Sequence, residues 1–309
     1  MTTLRNVLQE SEQNHVAIGH FNFSEPSVLM AVARAARELS VPVLAGLSEG
    51  EREFLGVPQA AALVKSTRED FRHSIFLNAD HTHSLLGAER AAKAGFDMIV
   101  FDRSELPFEE NIAETKRAVE TAKSINPAIL VEGEIGYIGT SSAVLDKVPE
   151  GIALTTPSEA RQFVEATCVD ILAPAVGNMH GMLASMVRGE TRKHLDIERI
   201  AQIKKAAGIF LTLHGGSGTS DADFQVAIQA GVNVIHINTE LRVAWRRSLE
   251  ASLAARPNEV APYKILPDVV AAVQKVVRDR LELFNSTASL PNGHHKPLHV
   301  GYDAGRRVL

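Results

Sequence analysis

The chain has 309 residues, 45% of them hydrophobic and 22% charged, with a formal net charge of −5. That balance describes a globular chain with a sizeable core. It argues against nucleic acid as the main partner while leaving room for a small anion held by local positive potential. The single Cys168 excludes an intramolecular disulfide framework and fits a reducing cytoplasm. No apolar run approaches the roughly 20 residues of a membrane span, and the N-terminal stretch lacks a signal-peptide pattern.

Short apolar runs alternate with helical periodicity along the chain. Residues 16–21 predict a first strand, followed by a helix over 26–39 that opens on Pro26, a residue suited to a first turn. Residues 41–46 predict a second strand and 58–66 a helix. Strands at 74–78 and 97–102 are followed by helices at 85–94 and 108–124. Strands at 128–132 and 169–176 are followed by helices at 157–166 and 197–207. Strands at 209–213 and 232–237 are followed by helices at 221–230 and from Glu240 onward. Runs apolar on both faces suit an all-parallel sheet, and eight strand–helix units favour a closed (β/α)₈ TIM barrel of class α/β. The expectation is one domain, with the barrel over about 15–255. A C-terminal helical extension and polar tail would occupy about 262–309, with the extra helix at 266–284. Two long loops, 136–156 and 178–195, are expected over the carboxyl ends of the strands, where barrel active sites lie.

The polar residues cluster at those ends. Asn78-Ala79-Asp80-His81 closes the third strand, Asp102 the fourth, Glu132 and Glu134 the fifth. His180 follows the sixth strand and His214 the seventh, while His236 and Asn238 close the eighth and Asn22 the first. Buried ionisable groups are costly unless paired or metal-bound. Three histidines on three strand ends, one beside an acid, read as a catalytic metal site with an open position and Asp80 as adjacent acid/base. Glu132 and Glu134 share a face if the strand continues, so one could reach the metal and the other orient a ligand histidine. His214-Gly215-Gly216-Ser217-Gly218 and Asn238-Thr239 stand where phosphate-binding barrels present backbone amides. His81-Thr82-His83 also admits a second reading, the His-x-His pair of barrel amidohydrolases, although that family carries it on the first strand.

Taken together these residues resemble the class II, metal-dependent ketose-bisphosphate aldolases, including fructose- and tagatose-bisphosphate aldolases. The similarity runs from about His20 to Arg242. It is carried by Phe21-Asn22, Ser48-x-Gly50, Asp80-His81 and 98–104 with 107–111. Val131-Glu132-Gly133-Glu134-Ile135-Gly136, Gly177-x-x-His180-Gly181, the His214 run and Thr239-Glu240-Leu241-Arg242 complete it. The resemblance implies one catalytic Zn²⁺ on His81, His180 and His214, with Glu134 and Asp102 as further candidate ligands and room for a second or monovalent ion. It implies Asp80 and His236 as catalytic groups. Asn22, Ser48, Gly181, Gly215, Ser217, Asn238 and Thr239 are its substrate- and phosphate-binding positions. The expected reaction is reversible cleavage of a phosphorylated ketose to dihydroxyacetone phosphate and an aldehyde. The expected setting is a cytoplasmic homodimer or homotetramer that engages neither nucleic acid nor membrane.

Three departures bear on substrate and turnover. The loop acid that follows the family's Glu-Leu-Gly run is replaced by Gly139-Thr140-Ser141-Ser142, leaving Asp146 or Glu150 as the expected carbon base. Met182, Leu183 and Ala184 follow His180-Gly181 in place of aromatic and basic residues, and His236 replaces an Asn. Two further readings stay open: an aldolase for another sugar phosphate or sugar-acid phosphate, and a metal- and sugar-phosphate-binding barrel without efficient catalysis.

Overall fold

The computed structural model describes residues 2–139 and 141–286. Eight parallel strands close into a barrel. They are β1 (Ile18–Asn22), β2 (Val43–Leu47), β3 (Ile75–Thr82), β4 (Met98–Phe101), β5 (Leu130–Ile135), β7 (Ile171–Pro174), β9 (Phe210–Leu213) and β10 (Val232–Ile237), with β10 pairing back onto β1. Two short strands, β6 (Val144–Leu145) and β8 (Met182–Leu183), pair outside the barrel and join the two long loops to each other.

Helices α2 (Pro26–Leu39), α4 (Val57–Phe71), α5 (Leu85–Ala94), α6 (Phe108–Ile125), α7 (Pro157–Thr167), α9 (Ile197–Ala207), α10 (Asp221–Gln229) and α11 (Thr239–Ala255) surround the strands. Local chemistry sets their ends. Thr156 caps α7 reciprocally with Glu159, and Ser84 caps α5 by accepting from the Gly87 amide. The sequence expectation left three helices out: α1 (Leu4–Gln13), α3 (Glu49–Leu55) and α8 (Ala184–Val187). It also began the last helix four residues late, since α12 runs Pro262–Asn285 and packs on α2 and α11. The polar tail from 287 onward lies outside the described residues. Among those described, no helix is long and apolar enough to cross a membrane.

Two apolar layers hold the barrel. The larger lies between strands and helices and includes Phe21, Phe101, Phe163 and Phe224. The smaller fills the barrel's amino-terminal floor, where Leu4, Val7 and Leu8 of α1 meet Ile18, Leu44, Phe76 and Met98. With one end plugged, the carboxyl end is left to carry the polar residues.

Candidate active site

Strand alternation would send Asp80 and His81 to opposite faces. They instead sit in a bulge. Ala79 pairs with Ile99 and Thr82 with Phe101, so β3 carries one residue more than β4 between those pairs. His81 takes φ 43°, a left-handed conformation uncommon for a residue with a side chain. The bulge turns both side chains to the barrel mouth. Arg52, 5% exposed, secures it: its guanidinium donates to the carbonyls of Leu47 and Asp80 and to Thr82 Oγ1.

His81, His180, His214 and Glu134 converge, with one ligating atom from each within 4.8 Å of the others. The three imidazoles stand edge to face, 71° to 76° apart. His81 Nε2 and His214 Nδ1 are 3.1 Å apart. Tetrahedral zinc with Zn–N lengths of about 2.0–2.1 Å would separate two nitrogens by about 3.3 Å. Glu134 Oε2 is buried without a hydrogen-bond partner and lies 3.9 Å from His214 Nδ1 and 3.7 Å from His81 Nδ1, the nitrogen turned to Asp102. Such an orphaned oxygen beside three imidazoles fits a divalent cation. Burial lowers the pKa of His180, and that of His214 to about 3, with His81 adding to both shifts, which favours the neutral form that ligates metal. His81 behaves oppositely. Burial works against its charge, yet Asp80, Asp102 and Glu134 raise it to about 10.

The carboxylates divide between reaching and bracing. Asp102, expected among the ligands, is not in the converging group. Its Oδ2 sits 2.9 Å from His81 Nδ1 and its Oδ1 accepts from the backbone and side chain of Ser104. It therefore fixes the His81 ring with Nε2 inward. Glu132 does the same from behind His214, 2.5 Å from Nε2, and burial raises its pKa to about 7. Gly133 between the two glutamates lets α7 close in; a Cβ there would lie 2.5 Å from Phe163. His83 is outside the converging group, with Nδ1 2.9 Å from Glu49 and Nε2 3.7 Å from Asp102, which counts against the His-x-His pair of an amidohydrolase.

Asn22, Asp80, His81, Ser142, His180, Gly181, His214, Gly215, Ser217, His236, Asn238 and Thr239 line one small cavity at the mouth. Asp80 Oδ2 accepts from Asn22 Nδ2 at 2.9 Å, whereas Oδ1 makes no hydrogen bond of good geometry and faces His236 Nδ1 at 3.3 Å. The histidines around Asp80 hold its carboxyl well below the usual range despite burial, so it is ionised. The Ser217 hydroxyl receives the amides of Asn238 and Glu240, and Thr239 Oγ1 donates to Ser142 O. Ser48 does not line the cavity. It caps α3 in a capping box with Glu51, a carboxylate that also holds Asn22 and Arg242. The long loop brings Ser142 to the cavity but neither expected base. Asp146 is exposed, and Glu150 is 86% exposed and paired with Lys147. A larger groove between α4 and α5 carries none of the converging side chains.

Sequence reading missed His20, Glu51, Arg52 and Lys193. His20 is fully buried and stacks on His236, with centroids 3.5 Å apart and planes 10° apart. Gly46 makes the room, since a Cβ there would meet His20 Nε2 at 2.0 Å, and Asn78 holds that nitrogen at 3.0 Å. The stack sets His236 with Nδ1 3.3 Å from Asp80 Oδ1. His20, Asp80 and His236 lie close enough to suggest a second metal site. Parallel stacked rings cannot both aim in-plane lone pairs at one ion, so the geometry excludes it. Burial, with His214 adding, lowers the His236 pKa to about 4, so its neutral ring faces the cavity. His236→Asn is expected to retain turnover and to shift relative specificity among ketose phosphates, measured as kcat/KM ratios. An unchanged ratio would make His236 structural, and a loss of about 10³-fold on every substrate would make it essential.

Residues 2–289 match the family model for class-II fructose-bisphosphate aldolase. A Bacillus subtilis protein described as a probable fructose-bisphosphate aldolase is 32% identical over 290 residues, covering 93% of this chain and 98% of the relative. A Geobacillus stearothermophilus fructose-bisphosphate aldolase matches at the same identity and coverage. Among solved structures, the YdjI aldolase of Escherichia coli K12 superposes with a TM-score of 0.77 at 28% identity, over 93% of this chain and 98% of that one. Matched across nearly its whole length, the chain belongs to the class-II fructose-bisphosphate aldolase family.

Proposed function

We propose that this class-II aldolase cleaves, and in reverse forms, the carbon–carbon bond of a phosphorylated ketose, yielding dihydroxyacetone phosphate and an aldehyde. Fructose 1,6-bisphosphate is the first substrate to try. The observation that carries this reading is the Asp80 carboxylate, with Oδ1 approached only by His236 Nδ1 at 3.3 Å, in the same small cavity as His81, His180 and His214. Zinc is the metal proposed for these residues and Glu134. It would supply positive charge beside the ketone oxygen, where negative charge grows as the bond breaks. Asp80 takes the proton of the hydroxyl that becomes the aldehyde, and Asn22 keeps its second oxygen fixed during the transfer. The backbone at Gly181, Gly215 and Ser217, with Asn238 and Thr239, is assigned to the phosphate end, holding substrate in register. The whole chain is read as one cytoplasmic barrel domain, assembled as a homodimer or homotetramer; sedimentation tests the assembly.

A second reading within the class rests on the His20–His236 stack, which takes up space beside Asp80. It is an aldolase for another sugar phosphate, such as tagatose bisphosphate or a sugar-acid phosphate. A screen of aldehydes for condensation with dihydroxyacetone phosphate decides. Condensation with glyceraldehyde 3-phosphate above all others supports the first reading, and a different preferred aldehyde the second. No condensation with any aldehyde would leave a binding barrel without catalysis.

The exposed positions of Asp146 and Glu150 carry their own expectation. Alanine at either residue, or at both, should leave exchange of the carbon-bound proton of dihydroxyacetone phosphate within about twofold of the parent. A large loss in either variant would mean that the loop closes further over bound substrate than its position here.

A further inference from the structure

Lys193 lies in the long segment after β7, only 4% exposed, and the reaction above gives it no role. Its Nζ donates to three backbone carbonyls: Met179 at 2.7 Å, Gly181 at 2.6 Å and Gly215 at 2.8 Å. Three acceptors match the three donors of an ammonium, one more than a neutral amine offers. The backbone is tied as well, since the Lys193 amide donates to Gly218 O at 2.9 Å. Met179 and Gly181 flank His180, while Gly215 follows His214; Gly181 and Gly215 both line the cavity. One side chain thus bonds to both loops that carry metal-site histidines.

Burial pulls the Lys193 pKa down to about 7, with Glu240 opposing the shift, so the ammonium is held only as far as the protein solvates it. Three converging carbonyl dipoles supply that solvation. In return, without a cation they would repel one another and any anion beside them. A cage of backbone carbonyls is how proteins hold an alkali cation such as potassium. Here the chain fills the cage from within.

We propose that Lys193 is a positioning residue that acts as a built-in monovalent cation, joining the His180–Gly181 loop to the His214–Gly218 loop and offsetting carbonyl charge at the phosphate end of the cavity. The assignment of a phosphate end rests on the reading under Proposed function. The role predicts that the zinc-loaded parent protein needs no added alkali or ammonium ion. It also predicts that removing the side chain creates a need that a small cation can meet.

The experiment uses the zinc-loaded full chain and two readouts, calorimetric binding of inorganic phosphate and condensation kinetics. Lys193→Met is expected to keep the fold, by circular dichroism, and to lose about tenfold or more in phosphate affinity and in kcat/KM. Lys193→Ala should recover part of both with ammonium or methylammonium, but not with tetramethylammonium at equal ionic strength. A merely structural lysine would show no such selectivity. The parent, assayed with tetramethylammonium as the only monovalent cation, should keep full phosphate binding; that arm needs no variant to fold. Parent binding that depends on potassium or ammonium overturns the proposal. So does a Lys193→Met protein within about threefold of the parent, or a folded Lys193→Ala protein that no small cation rescues. If the parent binds phosphate but condenses no aldehyde, the aldolase reading fails while the Lys193 test still stands.

Discussion

Dialysis against a strong chelator is expected to abolish carbon–carbon cleavage, and zinc or cobalt to restore it. The reason lies in what the site contains without a cation. Asp80, Asp102, Glu132 and Glu134 are gathered around three imidazoles, and only His81 is held strongly toward its charged form. Among the described residues no lysine lines the cavity, so an amine-based covalent route has no nucleophile there. Borohydride added with substrate should accordingly trap no adduct; stable reduction onto a lysine would overturn the metal mechanism. Binding should also depend on pH in a stated direction. The pKa of His81 is raised to about 10, so at neutral pH the entering ion must displace a proton. Apparent metal affinity should therefore fall as pH falls below about 10, by up to about tenfold per unit for each proton displaced, and Glu134, whose pKa burial and Asp102 raise well above the usual carboxyl range, can release a second. A calorimetric affinity flat between pH 6 and 8 would mean that His81 is not a ligand or carries no proton. The melting temperature should rise with metal concentration, because the converging ligands exist only in the folded chain.

Much of the barrel could be read from periodicity. Strand–helix alternation located all eight strands, and the helices over Pro26–Leu39, Leu85–Ala94 and Ile197–Ala207 have the expected bounds. The misses have physical causes. Strand β3 runs on through Asn78–Thr82 and β5 through Glu134, because polar side chains there face the barrel mouth rather than ending the strand. An apolar run is a good guide to a strand only where both faces are dry. Helix α3 carries Ser48 and Glu51 at capping-box spacing, a signal that could have been used. The apolar residues of helix α1 gain meaning only from the barrel floor they plug.

The site was less legible than the fold. Motif order brought His81, His180 and His214 onto three strand ends, and their convergence is a matter of barrel closure. That Asp102 braces His81 instead of joining the ligand group depends on a bulge that no alternation rule reveals. Ser48 had the right neighbours in sequence but spends its contacts on a helix cap. Lys193 has no local signal at all, because its three acceptors come from two loops separated by more than thirty residues.

Asp80→Ala is expected to lower the cleavage rate by about 10²–10⁴-fold, the range for loss of a positioned acid/base, while zinc content stays near normal. The two halves of this expectation rest on different contacts. Zinc should remain because Asp80 is outside the converging group of His81, His180, His214 and Glu134. The bulge should remain because Arg52 holds it through the Asp80 carbonyl and Thr82, neither of which the substitution removes. Asn22 keeps a partner, since its amide also donates to Glu51 at 3.0 Å. Rate should fall because Asp80 is the only carboxylate among the described residues that line the cavity, with Oδ1 turned toward His81 and His236. Asp80→Asn sharpens the test. It can still accept from Asn22 and nearly preserves side-chain volume, yet it cannot take a proton, so it should lose about as much activity as the alanine variant. If the asparagine variant kept most of its activity, Asp80 would be acting by shape and hydrogen bonding. If either variant instead came out of purification without zinc, Asp80 would have to be moved into the metal shell, and the proton would need another acceptor. Of the carboxylates beside the three histidines, Glu132 already has one oxygen on His214 and the other on Thr212, which ties its orientation to those two residues.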